Sequence, residues 1–235
     1  MRKYPLGLAL LTVTIGTTAP SWAGKAKTPG RNKLTPALCE MLGMADEYIS
    51  RFDYMTGKPR GNLVEHFYPH EKALAVHYGK LIAQYQKEGR TRAGAKRKAD
   101  GSGHQDFYGK RLSRVINGFY HPISGTIVSL DRRKIMAASK TCRLRYIQGA
   151  YRRYHSKKQN VIKMANAGFK IETIGHVLKS LGCKEVTLLD TATIPAANLV
   201  FFLPSPKVAQ TLPITKHLSK AAFAKLPNRK GYREL

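Results

Sequence analysis

His104 and His121 flank a segment that also holds Asp106, Lys110 and Arg111. Two imidazoles and a cation are the parts that cleave a phosphodiester without a metal. One ring takes a proton, the other gives one, and the cation steadies the charge that builds on the phosphate oxygens. A second histidine group, His66, His70 and His77, lies in EHFYPHEKALAVH (65–77), with Glu71 beside His70. Imidazole and carboxylate are metal-ligand types. A helical zinc pair wants i and i+4, however, and Pro69 interrupts the interval from His66 to His70. The spacing favours a helix start with Glu71 near its positive end, so no metal and no cofactor is expected. The chain contains no GxxxxGK[ST], HExxH, GxSxG or CxxC, which removes the common phosphate-cradle, zinc-protease, serine-hydrolase and thioredoxin-type signatures.

The densest cluster of charge is RLRYIQGAYRRYHSKK (143–158). At 100° per residue Ile147, Ala150, Tyr151 and Tyr154 share one face, and Arg145 and Arg152 lie on another. Such a helix packs its tyrosines inward and aims guanidinium forks at phosphate. Arg143, Arg145, Arg152, Arg153, Lys157 and Lys158 are therefore the candidate polyanion contacts, joined by Lys96, Arg97 and Lys98 in a second basic cluster. Downstream, NVIKMANAGFKIETIGHVLKSLG (160–182) is similar to the first two helices of a recombinase-type helix-turn-helix. Its recognition helix would fall on 184–192, where KEVTLLDTA prefers a strand. Any αα-hairpin makes the same pattern.

The elements that must position these groups read as follows. Thr35-Pro36 caps a helix running to about Arg51, and Pro69 opens a second to Glu88. Residues 89–106, rich in Gly, Lys and Arg, read as a mobile basic loop. A helix follows over 107–119, then a strand at 125–130, and Asp131 caps the longest helix, 132–155. Short helices at 159–167 and 171–181, strands at 184–189 and 198–203, and a basic helix near 215–225 complete the chain. No internal repeat is evident. The expected fold is mainly α (α+β): one helical domain over 35–235 with a small β element in its C-terminal third.

Residues 1–23 have the order of a secretory signal: Arg2 and Lys3, an uncharged run from Leu6 to Ala19, then Ser21-Trp22-Ala23. Residues 24–34 read as a flexible basic lead-in. In an oxidising compartment one pair among Cys39, Cys142 and Cys183 would form a disulfide. With 41 Lys+Arg against 14 Asp+Glu, the formal charge of +27 calls for a polyanionic partner. The combined expectation is a periplasmic or secreted, non-enzymatic basic protein, with no transmembrane segment after signal cleavage. Its partner would be an anionic polymer (nucleic acid, wall polymer or phosphate-rich glycolipid), an anionic envelope surface or a protein of an envelope complex, such as a secretion or conjugation apparatus. The alternative is a secreted hydrolase, nuclease-like or wall-polymer cleaving, using His104 and His121.

Overall fold

A computed structural model describes residues 34–46, 52–53, 55–125, 127–227 and 229–235. The signal-like segment, most of the basic lead-in and the predicted end of the first helix lie outside the described residues.

Thr35 caps the first helix, α1 (Pro36–Met44), by accepting from the Leu38 amide, with Pro36 at the first helical position. The chain continues through β1 (Leu63–Phe67), a 3-10 turn (Pro69–Glu71), α2 (Lys72–Glu88), β2 (Lys96–Ala99), β3 (Gln105–Tyr108) and α3 (Lys110–Asn117). A hairpin of β4 (Tyr120–Ser124) and β5 (Ile127–Leu130) leads to α4 (Arg132–Met136) and α5 (Lys140–Tyr154). Then come β6 (Val161–Ala165), α6 (Gly168–Ser180), β7 (Lys184–Thr191), β8 (Ala197–Leu203), α7 (Pro206–Thr211), α8 (Lys220–Ala224) and β9 (Arg229–Glu234).

The mainly helical expectation fails. Among the described residues helix takes 42% and strand 27%, in sheets of three, two and four strands, so the fold is mixed α/β, with strands from Leu63 to Glu234. Strands β1, β4 and β9 were not expected at all, and three local features depart from the expected elements. The basic loop is in part a hairpin: β2 pairs antiparallel with β3 around a turn in which the Asp100 carboxylate accepts from the Ser102 and His104 amides. All four β2 residues are exposed, so no alternation marks the strand. Ser139 caps α5 on the Cys142 amide and divides the single predicted helix at 132–155. Residues 161–165, predicted helical, send Ile162 and Met164 into one core and Val161 to the opposite face, at period two. With a strand in place of its first helix, the helix-turn-helix reading of 160–182 falls.

The topology shows what the residues conceal. Helix, strand, helix, hairpin, helix occurs over 36–117 and again over 140–211. The sheet orders correspond as well, β1-β3-β2 in the first half and β6-β8-β7 in the second, with β9 added at the edge. The halves meet along α1 and α5, where the approach is reciprocal. A Cβ on Gly43 would lie 2.0 Å from the Tyr146 carbonyl oxygen, and one on Gly149 would lie 2.1 Å from that of Glu40. Each glycine stands three residues after the residue whose carbonyl the other helix meets, so the two helices cross about an approximate two-fold axis. A continuous apolar core runs from Leu38, Met41 and Leu42 through Tyr146 and Ile147 to Ile171, Ile174 and Val200. The other side of the second sheet has its own cover: Phe223 of α8 stacks on Phe201 with centroids 5.4 Å apart, among Val161, Leu189 and Leu199.

Gly43→Ala and Gly149→Ala force backbone against backbone. Each is expected to destabilise by about 3 kcal/mol or more, at the upper end of overpacking costs. Gly79→Ala, whose Cβ would sit 3.7 Å from the Phe107 ring, is expected to be neutral or stabilising by up to about 1 kcal/mol on helix propensity. Urea denaturation of the three variants checks the contrast.

Candidate functional site

The C-terminal ends of α1 and α5 converge on Arg153, whose side chain is only 1% exposed. All its donors are engaged. Nε and Nη2 donate to the two Glu71 carboxylate oxygens at 2.8 and 2.9 Å. Nη1 donates to Glu65 Oε1 at 3.1 Å and to the Met44 carbonyl at 2.9 Å. Nη2 also donates to the His66 carbonyl at 2.9 Å. The guanidinium lies 4.5 Å from the Phe67 ring centroid and 5.4 Å from that of Tyr154. Around it, Glu65 Oε1 accepts from the Asp46 and His66 amides, and Glu71 Oε2 from the Tyr68 amide.

The buried carbonyls of Met44 and Ala45 at the end of α1 are a negative pole, and cations or donors meet both. The Tyr154 hydroxyl donates to the carbonyls of Met44 and Ala45 at 3.1 and 3.2 Å, and the fully buried Lys170 ammonium also donates to Ala45. Burial opposes the charge on Arg153, but the Glu65 and Glu71 carboxylates prevail and hold its pKa well above the ordinary value. Burial pushes the Tyr154 hydroxyl up in turn, so it remains a donor.

This geometry redistributes the predicted polyanion contacts. Arg153 is an internal cation with no donor left for a phosphate. Arg145 and Arg152 do share a face, and both approach the buried Glu40 carboxylate, at 3.2 and 3.5 Å, which His77 Nε2 also reaches at 2.7 Å. Arg143 is half-buried. Of the predicted contacts, Lys96, Arg97 and Lys98 on β2 and Lys157 and Lys158 in the turn after α5 are exposed. Cross-strand pairing sets Lys98, Asp106 and His66 in one row, with Lys96 and Tyr108 beside them. This is the side of the first sheet away from Phe67 and Phe107. Arg97 alternates to the opposite side, where its Nε donates to Gln105 at 2.7 Å.

The histidines do not assemble as the candidate acid–base pair requires. His104 stacks on His66 at 4.8 Å, with Ser102 Oγ 2.5 Å from its Nδ1. His121 is on β4 and lines a separate cavity of about 300 Å³ with Asp131, Phe169 and Glu172. His66, His70 and His77 are divided too: His66 Nδ1 meets Asp106 at 2.6 Å, His70 stacks on Tyr68, and His77 serves Glu40. Among the described residues no three His, Cys, Asp or Glu side chains gather where they could hold a metal. A larger cavity, about 590 Å³, opens at the end of α5 beside Tyr154, His155, Ser156, Lys163 and Pro195.

The expected disulfide is absent, and all three cysteines are buried free thiols. Cys39 and Cys142 hydrogen-bond to each other across α1 and α5, which holds Cys142 down to about 7 against its burial. Cys183 lies apart, beside Ser205.

No family model and no curated protein matches the chain. Solved structures do. The fold is similar to that of the homing endonuclease I-DmoI. Its mesophilic variants align at a TM-score of 0.52 with 14% identity, over 82% of this chain and 97% of theirs. I-DmoI in complex with DNA and Mn aligns at 0.52 with 14% identity, over 79% and 100%. The complex with DNA and Ca aligns at 0.52 with 13% identity, over 82% and 97%. These neighbours bind DNA, itself an anionic polymer, and no finding supports an envelope partner. The expectation of a non-enzymatic envelope-binding protein therefore gives way: the mainly helical domain beneath it is not there, and the fold is shared with a DNA-bound endonuclease. The His104 and His121 pair of the hydrolase alternative is not assembled.

Arg153 was readable as a basic residue but not as a buried one; the signal that marks it is the run of polar partners Glu65, His66 and Glu71 beside an apolar Phe67. Arg153→Met leaves two carboxylates without their cation and is expected to cost about 3–5 kcal/mol, as for other broken buried pairs. Lys157→Ala is expected to fall within about 0.5 kcal/mol of the parent. Thermal and urea melts of the two variants check this.

Proposed function

We propose that this protein acts on duplex DNA, as a DNA-binding protein of the nuclease class whose fold it shares. The observation that carries the reading is the β2–β3 ribbon, an antiparallel hairpin with Lys96 and Lys98 exposed on one side beside Tyr108. A two-stranded ribbon fits the major groove, about 12 Å wide. Lysines on it meet phosphates, and a tyrosine between them offers an apolar edge to the bases. Lys157, Lys158 and Lys163 extend the positive surface from the end of α5 to the outer side of β6. The approximate two-fold relation between the halves suits a ligand whose two strands are themselves related by two-fold axes. The net charge of +27 supplies the long-range attraction that such binding uses.

The two halves do not offer equivalent surfaces. The outer side of the first sheet is open, whereas that of the second is covered by Phe223, Leu218 and Leu226. The ribbon is accordingly the principal reading element.

Fluorescence anisotropy with a labelled duplex over a salt series tests the interface. Each phosphate contact contributes about 0.9 to the slope of log affinity against log salt, so Lys96→Ala combined with Lys98→Ala should lower the slope by roughly two. Affinity should fall uniformly across sequences. An unchanged slope would remove the ribbon from the interface. Incubation with supercoiled plasmid tests the nuclease class: nicked or linear product is expected, and plasmid left intact in every buffer would refute cleavage.

A further inference from the structure

We infer that the acidic convergence at the ends of α1 and α5 carries its own counter-cation and takes no divalent metal ion, so that the protein engages DNA without one. Glu65, from β1, and Glu71, from the turn that follows, are bridged by one guanidinium. The neighbours of similar fold were solved with DNA and Mn or Ca. Among the described residues the donor set here does not fit such an ion. Calcium takes six to eight oxygens and magnesium a near-ideal octahedron, with carboxylate oxygens turned toward the ion. Both Glu71 oxygens and Glu65 Oε1 are instead turned toward Arg153, and each of Glu65 Oε1 and Glu71 Oε2 also accepts a backbone amide.

Entry is opposed as well as coordination. Arg153 is almost wholly enclosed, with Phe67 across its face, and the buried Lys170 ammonium occupies the Ala45 carbonyl close by. An incoming dication would meet two fixed positive charges in a low-dielectric setting, where like charges repel strongly. Arginine is suited to the post: it stays charged when buried, and its planar fork satisfies a carboxylate bidentately while three donors remain for the Met44 and His66 carbonyls and a second carboxylate. Aspartate or glutamate at position 153 would have produced the opposite site.

The metal half of the inference stands apart from the duplex-DNA reading, because it is measured without DNA. The full-length protein is titrated with Mn²⁺ in a calorimeter and melted with and without about 1 mM Mn²⁺. No saturable heat is expected, and the melting temperature should move by less than about 1 °C, since an ion bound at 100 times its Kd would add roughly 2.7 kcal/mol. Saturable Mn²⁺ binding by the parent protein would overturn the inference.

Arg153→Met, freed of its cation, is expected to gain a Mn²⁺-dependent rise in melting temperature. A folded Arg153→Met that stays indifferent to Mn²⁺ would show that Arg153 does not exclude the ion and would overturn its role. Should that variant fail to fold, Arg153→Lys keeps one positive charge and is expected to remain indifferent to Mn²⁺; a Mn²⁺-dependent rise there would count against a purely electrostatic exclusion and overturn the inference. Duplex affinity is then compared in EDTA and in Mn²⁺ at about 0.15 M salt, where agreement within about twofold is expected. Affinity present only with Mn²⁺ overturns the second half of the inference, and no affinity in either buffer refutes the duplex-DNA reading while leaving the calorimetric result intact.

Discussion

The contact on which the rest of the structure depends is the one between the backbones of α1 and α5. Gly43 and Gly149 remove the two Cβ atoms that would hold the helices apart, and each accepts a carbonyl of the opposing helix in the space left. That approach brings the end of α1, with the carbonyls of Met44 and Ala45, against the last turn of α5, where Arg153 and Tyr154 can reach them. The strand that follows each helix is delivered to the same region. The buried ionic network is thus a consequence of helix packing: with the helices spread by a methyl group on each, the guanidinium would no longer span from Met44 to Glu71.

Electrostatics then divides the basic residues into two populations with opposite roles. Arg153 and Lys170 are spent inside, neutralising carboxylates and helix-end carbonyls that would otherwise be costly to bury. Arg145 and Arg152 are half-committed, held near Glu40. The lysines of β2 and of the turn after α5 have no such obligations and face solvent. A large formal charge therefore overstates the surface available to a polyanion, and the exposed subset is dominated by lysine, which meets phosphate as a point charge and leaves geometry to the ribbon that carries it.

Much of the element pattern was legible. Thr35, Asp131 and the apolar spacing of Ile171, Ile174, Val177 and Leu178 mark real helices, and the β-rich runs at 184–189 and 198–203 are the paired β7 and β8. The failures share a physical cause. A strand declares itself by alternating burial, and β2 has none because every residue is exposed, while β6 buries residues on both of its faces. Arg153 misled because position on a helical wheel gives direction but not depth; it lies next to Tyr154, and both turn toward the opposing helix. The repeat was present but faint. At an offset of 106 positions (43 to 149) the chain matches Thr35 with Thr141, Leu38 with Leu144, Gly43 with Gly149, Tyr48 with Tyr154 and Ser50 with Ser156, identities scattered too thinly to notice before the sheets showed the same strand order twice.

The reciprocal crossing of α1 and α5 has a consequence for how the chain comes apart. Each half lends the other the hollow into which a carbonyl fits, and the main core passes through both without a seam. Neither repeat is self-sufficient, although each contains a full set of elements. A cut in the connection between α4 and α5, near 137–139, would yield two fragments that each lack part of the shared core, so the repeated arrangement makes one cooperative body rather than two tandem modules.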